Sequence, residues 1–258
     1  MAEQQIRFDD GAAYERMMGT WSRLAGDVFL DWLAPAKNLT WADIGCGNGA
    51  FTQLIVDRCA PRRVFGIDPS AGQLAYAKTR LASAPVELTT GDAMALPYPD
   101  DSVVVATMAL VMFFVPDPKK GLAEMVRVTR PGGLVAAYVW DLPGHGFPAD
   151  AIWVELAASG HPVPQPPSAA ISGMDALKAL WASGLDVVET KAIEVERSFT
   201  GFDDYWAACT ASSSIKAAVH GLSPDQLAEL KERVSRRVPD KAGRYTARAN
   251  AAKGRVRS

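Results

Sequence analysis

Leu39-Thr40-Trp41-Ala42-Asp43-Ile44-Gly45-Cys46-Gly47-Asn48-Gly49-Ala50-Phe51-Thr52-Gln53-Leu54 is a short apolar run, a cluster of alternating glycines and the start of a helix-periodic run. That succession predicts strand, tight turn, helix. Glycine is the residue for such a turn because it takes φ > 0 freely and lets bare backbone approach a ligand. The helix behind it presents N–H groups with no intrahelical partner. The stretch therefore reads as a ligand cradle at the carboxyl end of a first strand.

The dinucleotide fingerprint is Gly-x-Gly-x-x-Gly, whereas this loop is Gly-x-Gly-x-Gly, with Ala50 where the third dinucleotide glycine would fall. Asp43, two residues before the first glycine, puts a carboxylate at the strand end, which suits a ligand carrying a cationic amine. Asp43-Ile44-Gly45-Cys46-Gly47-Asn48-Gly49 resembles the (D/E)-x-G-x-G-x-G motif of class I S-adenosylmethionine-dependent methyltransferases. The resemblance implies an α/β, Rossmann-like, doubly wound sheet of seven mostly parallel strands in the order 3-2-1-4-5-7-6, with helices on both faces and a small helical lid and insertion. It also implies S-adenosyl-L-methionine as cofactor and S-adenosyl-L-homocysteine as product.

Further along, Arg63-Val64-Phe65-Gly66-Ile67-Asp68 is a second short strand ending in an acid, about 25 residues beyond Asp43. A carboxylate there can accept from both hydroxyls of a ribose. Asp68-Pro69-Ser70-Ala71-Gly72-Gln73-Leu74 is similar to the family's next motif, and Ser70 is placed to cap the following helix. Val86 to Thr90 predicts a third strand, followed by Gly91-Asp92-Ala93. By the resemblance, Asp92 accepts from the adenine amine while the Ala93 N–H meets a ring nitrogen. Acids are rarely buried without partners, so three strands in succession ending in acids mark one ligand edge.

Val103 to Met108 predicts a fourth strand buried on both faces. Relatives carry an Asp near its start where Val103-Val104 stands here. Met108, at its end, is a candidate for the cofactor's surroundings as well as for core packing. Phe113, beyond that strand, is a candidate for the acceptor pocket. Lys119 to Val128 is an amphipathic helix stopped by Arg130-Pro131-Gly132-Gly133, and Leu134 to Trp140 is strand five. Leu-x-Glu-Met-x-Arg-Val-x-Arg-Pro-Gly-Gly, read from Leu122, resembles the ubiquinone/menaquinone-biosynthesis branch.

Upstream, the apolar residues between Tyr14 and Leu33 recur at three-and-four spacing, which predicts a helical segment. Tyr14, Trp21 and Arg23 either pack that segment on the sheet or, as the resemblance implies, belong to a lid over cofactor and acceptor. Downstream, the pattern predicts short helices at Asp150 to Ser159 and Asp175 to Ser183, and a sixth strand within Leu185 to Glu196. A Ser223-Pro224-capped helix running to Val238 and a closing strand near Tyr245 to Lys253 follow. The whole of 1–258 reads as a single domain: a lid segment at 1–38, a cofactor-binding core at 39–140, and an acceptor-side insertion with closing strands at 141–258. The basic residues from Lys241 onward read as a solvated face.

With 27 Lys and Arg against 29 Asp and Glu, no basic field favours nucleic acid or an anionic membrane. Three cysteines make no disulfide framework, and neither a signal peptide nor a spanning run is visible. No Cys/His spacing suggests a metal. The expectation is a cytoplasmic enzyme methylating a small-molecule acceptor. The rival readings are a nicotinamide-dependent oxidoreductase and a non-catalytic S-adenosylmethionine-binding protein. For a general base the candidates are His145, in the glycine-flanked turn after strand five, and Asp141 at its head.

Overall fold

The computed structural model describes residues 18–238 and 243–257. Seven strands form one sheet in the order β3-β2-β1-β4-β5-β7-β6: β1 (Thr40–Ile44), β2 (Arg63–Asp68), β3 (Val86–Thr90), β4 (Val103–Ala109), β5 (Thr129–Trp140), β6 (Asp186–Ser198) and β7 (Arg244–Arg255). The first five pair in parallel, and β7 lies antiparallel between β5 and β6. This is the order the resemblance implied. The connecting helices are α1 (Thr20–Leu33), α2 (Ala50–Cys59), α3 (Ala71–Arg80), α4 (Pro118–Val128), α5 (Asp150–Ala158), α6 (Met174–Gly184), α7 (Phe202–Thr210), α8 (Ser213–His220) and α9 (Pro224–Arg237).

Helices cover both faces, as the side-chain alternation of the central strands requires. Met108 in β4 pairs with Ala137 in β5, so the next residue, Tyr138, points to the opposite face. On Tyr138's side lie Phe29 of α1, with ring centroids 4.7 Å apart, and Phe51 of α2 at 5.7 Å. Gly26 of α1 permits this contact, because a Cβ there would come within 2.8 Å of Leu54. On the other face Met108 packs toward Gly121 of α4. Each fully buried side chain of this size contributes about 1.5–3 kcal/mol relative to exposure.

Local caps set the helix starts. Ser70 caps α3 by accepting from the Gln73 N–H, as its position predicted. Asp117 caps α4 with Pro118 in its first turn, and Ser223 forms a capping box with Gln226 at the start of α9. Across the bundle, Glu155 of α5 is nearly buried and accepts from both Arg237 and Arg233 of α9, which hold its carboxyl below the usual range.

Three details depart from the sequence reading. First, β5 does not begin after Pro131-Gly132-Gly133 but runs through them, with the pairing register slipping between Val103 and Val105 to absorb the extra residues. Second, α7 and α8 occupy a stretch for which no helix was predicted. Third, two basic residues of the closing strand are drawn into pairs rather than left on a solvated face: Lys253 pairs with Glu189 at 3.3 Å and lies 4.5 Å over the Trp32 ring, and Arg248 pairs with Asp141, while Arg244, Arg255 and Arg257 are exposed as read. Lys241 lies outside the described residues. The helix predicted within Tyr14 to Leu33 is described from Thr20, and Tyr14 lies outside the described residues. Among the described residues no helix is long and apolar enough to cross a membrane.

Candidate cofactor and acceptor site

The carboxyl ends of β1, β2 and β3 are adjacent and together span roughly 10 Å, given the spacing between strands. The loop from Gly45 to Gly49 rises from the β1 end of this edge. Its base is stitched to β2: the Gly45 and Cys46 N–H groups both donate to the Ile67 carbonyl, at 2.7 and 3.0 Å. Gly45, Gly47 and Gly49 have φ of 75°, 53° and 79°, the left-handed region that disfavours side chains. Their surroundings differ. A Cβ on Gly45 would lie 2.4 Å from Val111, and one on Gly49 would lie 2.9 Å from Leu81, so these two glycines serve packing. A Cβ on Gly47 would meet nothing within 4 Å; the backbone there faces open space, as a cradle must.

Asp68 holds the cradle's crest. Its Oδ2 accepts from the Gly47 N–H and its Oδ1 from the Ser70 N–H, both at 2.9 Å. Burial pushes its pKa up, against those two hydrogen bonds. Each oxygen keeps a further lone pair for an incoming hydroxyl. Pro69 beside it is exposed. Asp92 is exposed, with Oδ1 accepting from the Met94 N–H at 2.8 Å and Oδ2 left for a donor; Ala93 is half-buried next to it.

Asp43 is in a different position from its two counterparts. It has no exposed surface; Oδ2 accepts from the Thr52 hydroxyl at 2.6 Å, and Oδ1 is buried without a partner. Burial raises its pKa to about 7; the Thr52 hydrogen bond opposes this and the nearby Asp68 charge adds to it. An acid with one unsatisfied oxygen behind an open backbone crest favours a cation brought to that crest.

The other loop residues brace rather than line it. The Cys46 Sγ packs over Gly66, within 3.1 Å of where a Cβ on that glycine would sit, and burial pushes the thiol far up. Asn48 is buried, accepting from the Ala50 N–H and from Arg80, both at 3.1 Å. Met108 is fully buried on the α4 face and sits in the core.

Trp21 is also buried, its ring 6.3 Å from Phe199, while Arg23 is exposed. Phe113 is buried in the turn after β4, edge-on to Phe114 at 4.5 Å. The two base candidates separate. Asp141 is committed: Oδ2 accepts from Arg248 at 2.8–2.9 Å and Oδ1 from the Gly144 N–H at 2.9 Å. Its work is to hold the turn, which corrects the expectation of a base there. His145 has a ring that is 69% exposed.

Thr52, Arg80 and Arg248 were missed from sequence. Thr52 alone left a signal, a lone hydroxyl on an apolar helix face one turn past the glycines. Arg248→Met leaves the nearly buried Asp141 carboxylate without its ion partner and is expected to cost about 1–2 kcal/mol, because Arg248 itself is partly solvated. An unchanged urea midpoint would assign the turn's stability elsewhere.

Known proteins resemble this chain in sequence and in fold. A profile described as "Methyltransferase domain" matches residues 42–137. An uncharacterized methyltransferase of Mycobacterium tuberculosis is 31% identical over 194 residues, covering 68% of this chain and 74% of that protein. A demethylmenaquinone methyltransferase of Desulfitobacterium hafniense is 36% identical over 104 residues, 38% of this chain, and the matched stretch spans only 41% of that relative's length. Among solved structures, phosphoethanolamine N-methyltransferase 2 of Haemonchus contortus, in complex with phosphomonomethylethanolamine and S-adenosylhomocysteine, superposes with TM-score 0.60 at 16% identity, covering 95% of this chain and 56% of that one. At that identity the likeness is one of fold.

Proposed function

We propose, from the premise that this chain belongs to the class I S-adenosylmethionine-dependent methyltransferases, that it transfers the cofactor's methyl group to a small-molecule acceptor. Its cofactor is S-adenosylmethionine. The observation that carries the proposal is the open face at Gly47, with the unpartnered Asp43 oxygen behind it and Asp68 beside it. The bound cofactor supplies an electrophilic methyl group on a sulfonium.

The residues present fit that ligand. The crest would take its amino-acid end with Asp43 favouring the cationic amine, while Asp68 would take its ribose hydroxyls and Asp92 its adenine amine. The chain's remaining tasks are to align an acceptor against the methyl carbon and to exclude water. His145 is the proposed proton acceptor for an acceptor that loses a proton. The family match ends at residue 137, before the segments that follow β5, so the acceptor is read from different evidence. The demethylmenaquinone relative makes a quinol-type ring the first acceptor to test. The enzyme is read as cytoplasmic.

Calorimetry with S-adenosylmethionine, S-adenosylhomocysteine and a nicotinamide dinucleotide tests the binding half. Methyl-labelled cofactor, offered with 1,4-naphthalenediol and a pooled metabolite extract, tests transfer. Binding of the dinucleotide instead would make the protein an oxidoreductase; cofactor binding with no labelled product would make it a binding protein. Asp68→Asn is expected to weaken S-adenosylmethionine by roughly 1.5–3 kcal/mol, the range for hydrogen bonds to a charged acceptor. Unchanged affinity would confine Asp68 to bracing the loop.

A further inference from the structure

The turn after β5 is held more tightly than an exposed connection requires. Within it the Gly144 N–H donates to Asp141 Oδ1 at 2.9 Å, the Gly146 N–H to the Asp141 carbonyl at 2.7 Å and the His145 N–H to the Leu142 carbonyl at 3.2 Å. From β7, Arg248 adds its Nη2 to the Gly144 carbonyl at 2.8 Å and its backbone N–H to the Gly146 carbonyl at 2.9 Å. The two glycines do not supply flexibility. A Cβ on Gly144 would lie 2.2 Å from Asp141 Oδ2 and 2.4 Å from Arg248 Nη2, and one on Gly146 would lie 2.4 Å from the Arg248 carbonyl. This packing holds His145 at φ 58°, a left-handed conformation uncommon for a non-glycine residue.

The ring is fixed as well. Nδ1 lies 3.0 Å from Asp150 Oδ2 and 3.2 Å from Oδ1. Asp150 opens α5, and an acid in a first helical turn is favoured by the helix dipole alone. The dipole does not account for an imidazole seated on both oxygens. A carboxylate only accepts, so the neutral ring carries its proton on Nδ1 and offers a lone pair at Nε2. The turn stands on the sheet edge that also carries the glycine loop, since β5 and β1 run the same way.

We infer that Asp150 is the positioning residue of a His145–Asp150 pair whose Nε2 takes the proton from a hydroxyl- or amine-bearing methyl acceptor. The assignment rests on the methyltransferase reading. In the step, the acceptor's lone pair bonds to the methyl carbon, the carbon–sulfur electron pair stays on sulfur, and the acceptor's proton moves to Nε2, leaving an imidazolium.

The test uses the full chain loaded with S-adenosylhomocysteine, ¹⁵N-labelled at histidine, with His145→Gln assigning the signal. Long-range ring correlations should show the Nδ1–H tautomer in the wild type and a shift toward Nε2–H in Asp150→Ala; Asp150→Asn stands in if the alanine variant does not fold. With the labelled cofactor and the same diol and extract, kcat should fall at least tenfold in Asp150→Ala, less than the roughly hundredfold at which general-base effects begin because the imidazole itself remains, while KM stays within about twofold. Asp150→Glu should restore part of the rate. A wild-type Nε2–H tautomer, an unchanged kcat, or an effect confined to KM would overturn the assignment while leaving methyl transfer standing. No labelled product from the wild type would overturn the function and this pair with it.

Discussion

Gly47→Ala is expected to fold almost as well as the wild type and to lose about 100- to 1,000-fold in S-adenosylmethionine affinity, roughly 3–4 kcal/mol. The two effects separate because the new methyl has only a conformational penalty in the folded protein. At φ 53° an alanine costs about 1–2 kcal/mol, and nothing within 4 Å collides with its Cβ. That Cβ does occupy the space in front of the crest, where a ligand must approach the bare backbone.

Gly45→Ala is the contrast, since its Cβ would be driven to 2.4 Å from Val111 and the damage would appear in stability. Chemical denaturation and calorimetry on both variants make the comparison. Wild-type affinity in Gly47→Ala would mean that the cofactor does not lie against this crest.

Asp43→Asn is expected to flatten the pH dependence of stability in the ligand-free protein and to stabilise it above neutral pH. The folded pKa of Asp43 is about 7, against about 3.9 in an unfolded chain. Below about pH 4 both states are protonated and the group contributes nothing. Between about 4 and 7 the unfolded chain releases its proton while the folded one keeps it, so stability falls with rising pH. The loss levels off above the folded pKa, at an order of 4 kcal/mol. Asparagine does not titrate and can still accept from Thr52.

Urea unfolding at pH 5 and pH 8 on both proteins reads the difference; equal slopes in wild type and variant would refute it. A cationic ligand favours the ionised form, so wild-type affinity for S-adenosylmethionine should rise through neutral pH. S-adenosylhomocysteine, lacking the sulfonium, should show a weaker rise.

The start of the sheet was legible because β1 and β2 are short apolar runs leading into a glycine or ending in an acid, and the glycine loop fixed which edge binds. The burial of Asp43 was not. In a parallel strand covered on both faces, neighbouring positions carry no polarity contrast to show which way a side chain points. Cys46 escaped because it lies in the glycine loop, where no periodicity shows that its sulfur turns back onto Gly66. The fate of Asp141 depended on Arg248, a partner 107 positions away that no local pattern exposes. The His145–Asp150 pair spans five positions yet was equally hidden, because it requires a left-handed turn between strand and helix. Met108 could be read two ways from sequence, and only the register of β4 against β5 shows the face it takes.

The position of β7 bears on how the molecule comes to be made. It is the last of the seven strands along the chain, yet it lies inside the sheet, paired with β5 on one side and β6 on the other. A nascent chain that has emerged only as far as α9 holds two strands with unpaired edges, and β5 is among the most apolar segments of the protein. Such edges recruit other chains. Shortened forms lacking residues 244–255 should therefore aggregate rather than persist as a smaller cofactor-binding unit, and closure of the sheet awaits synthesis of its final strand.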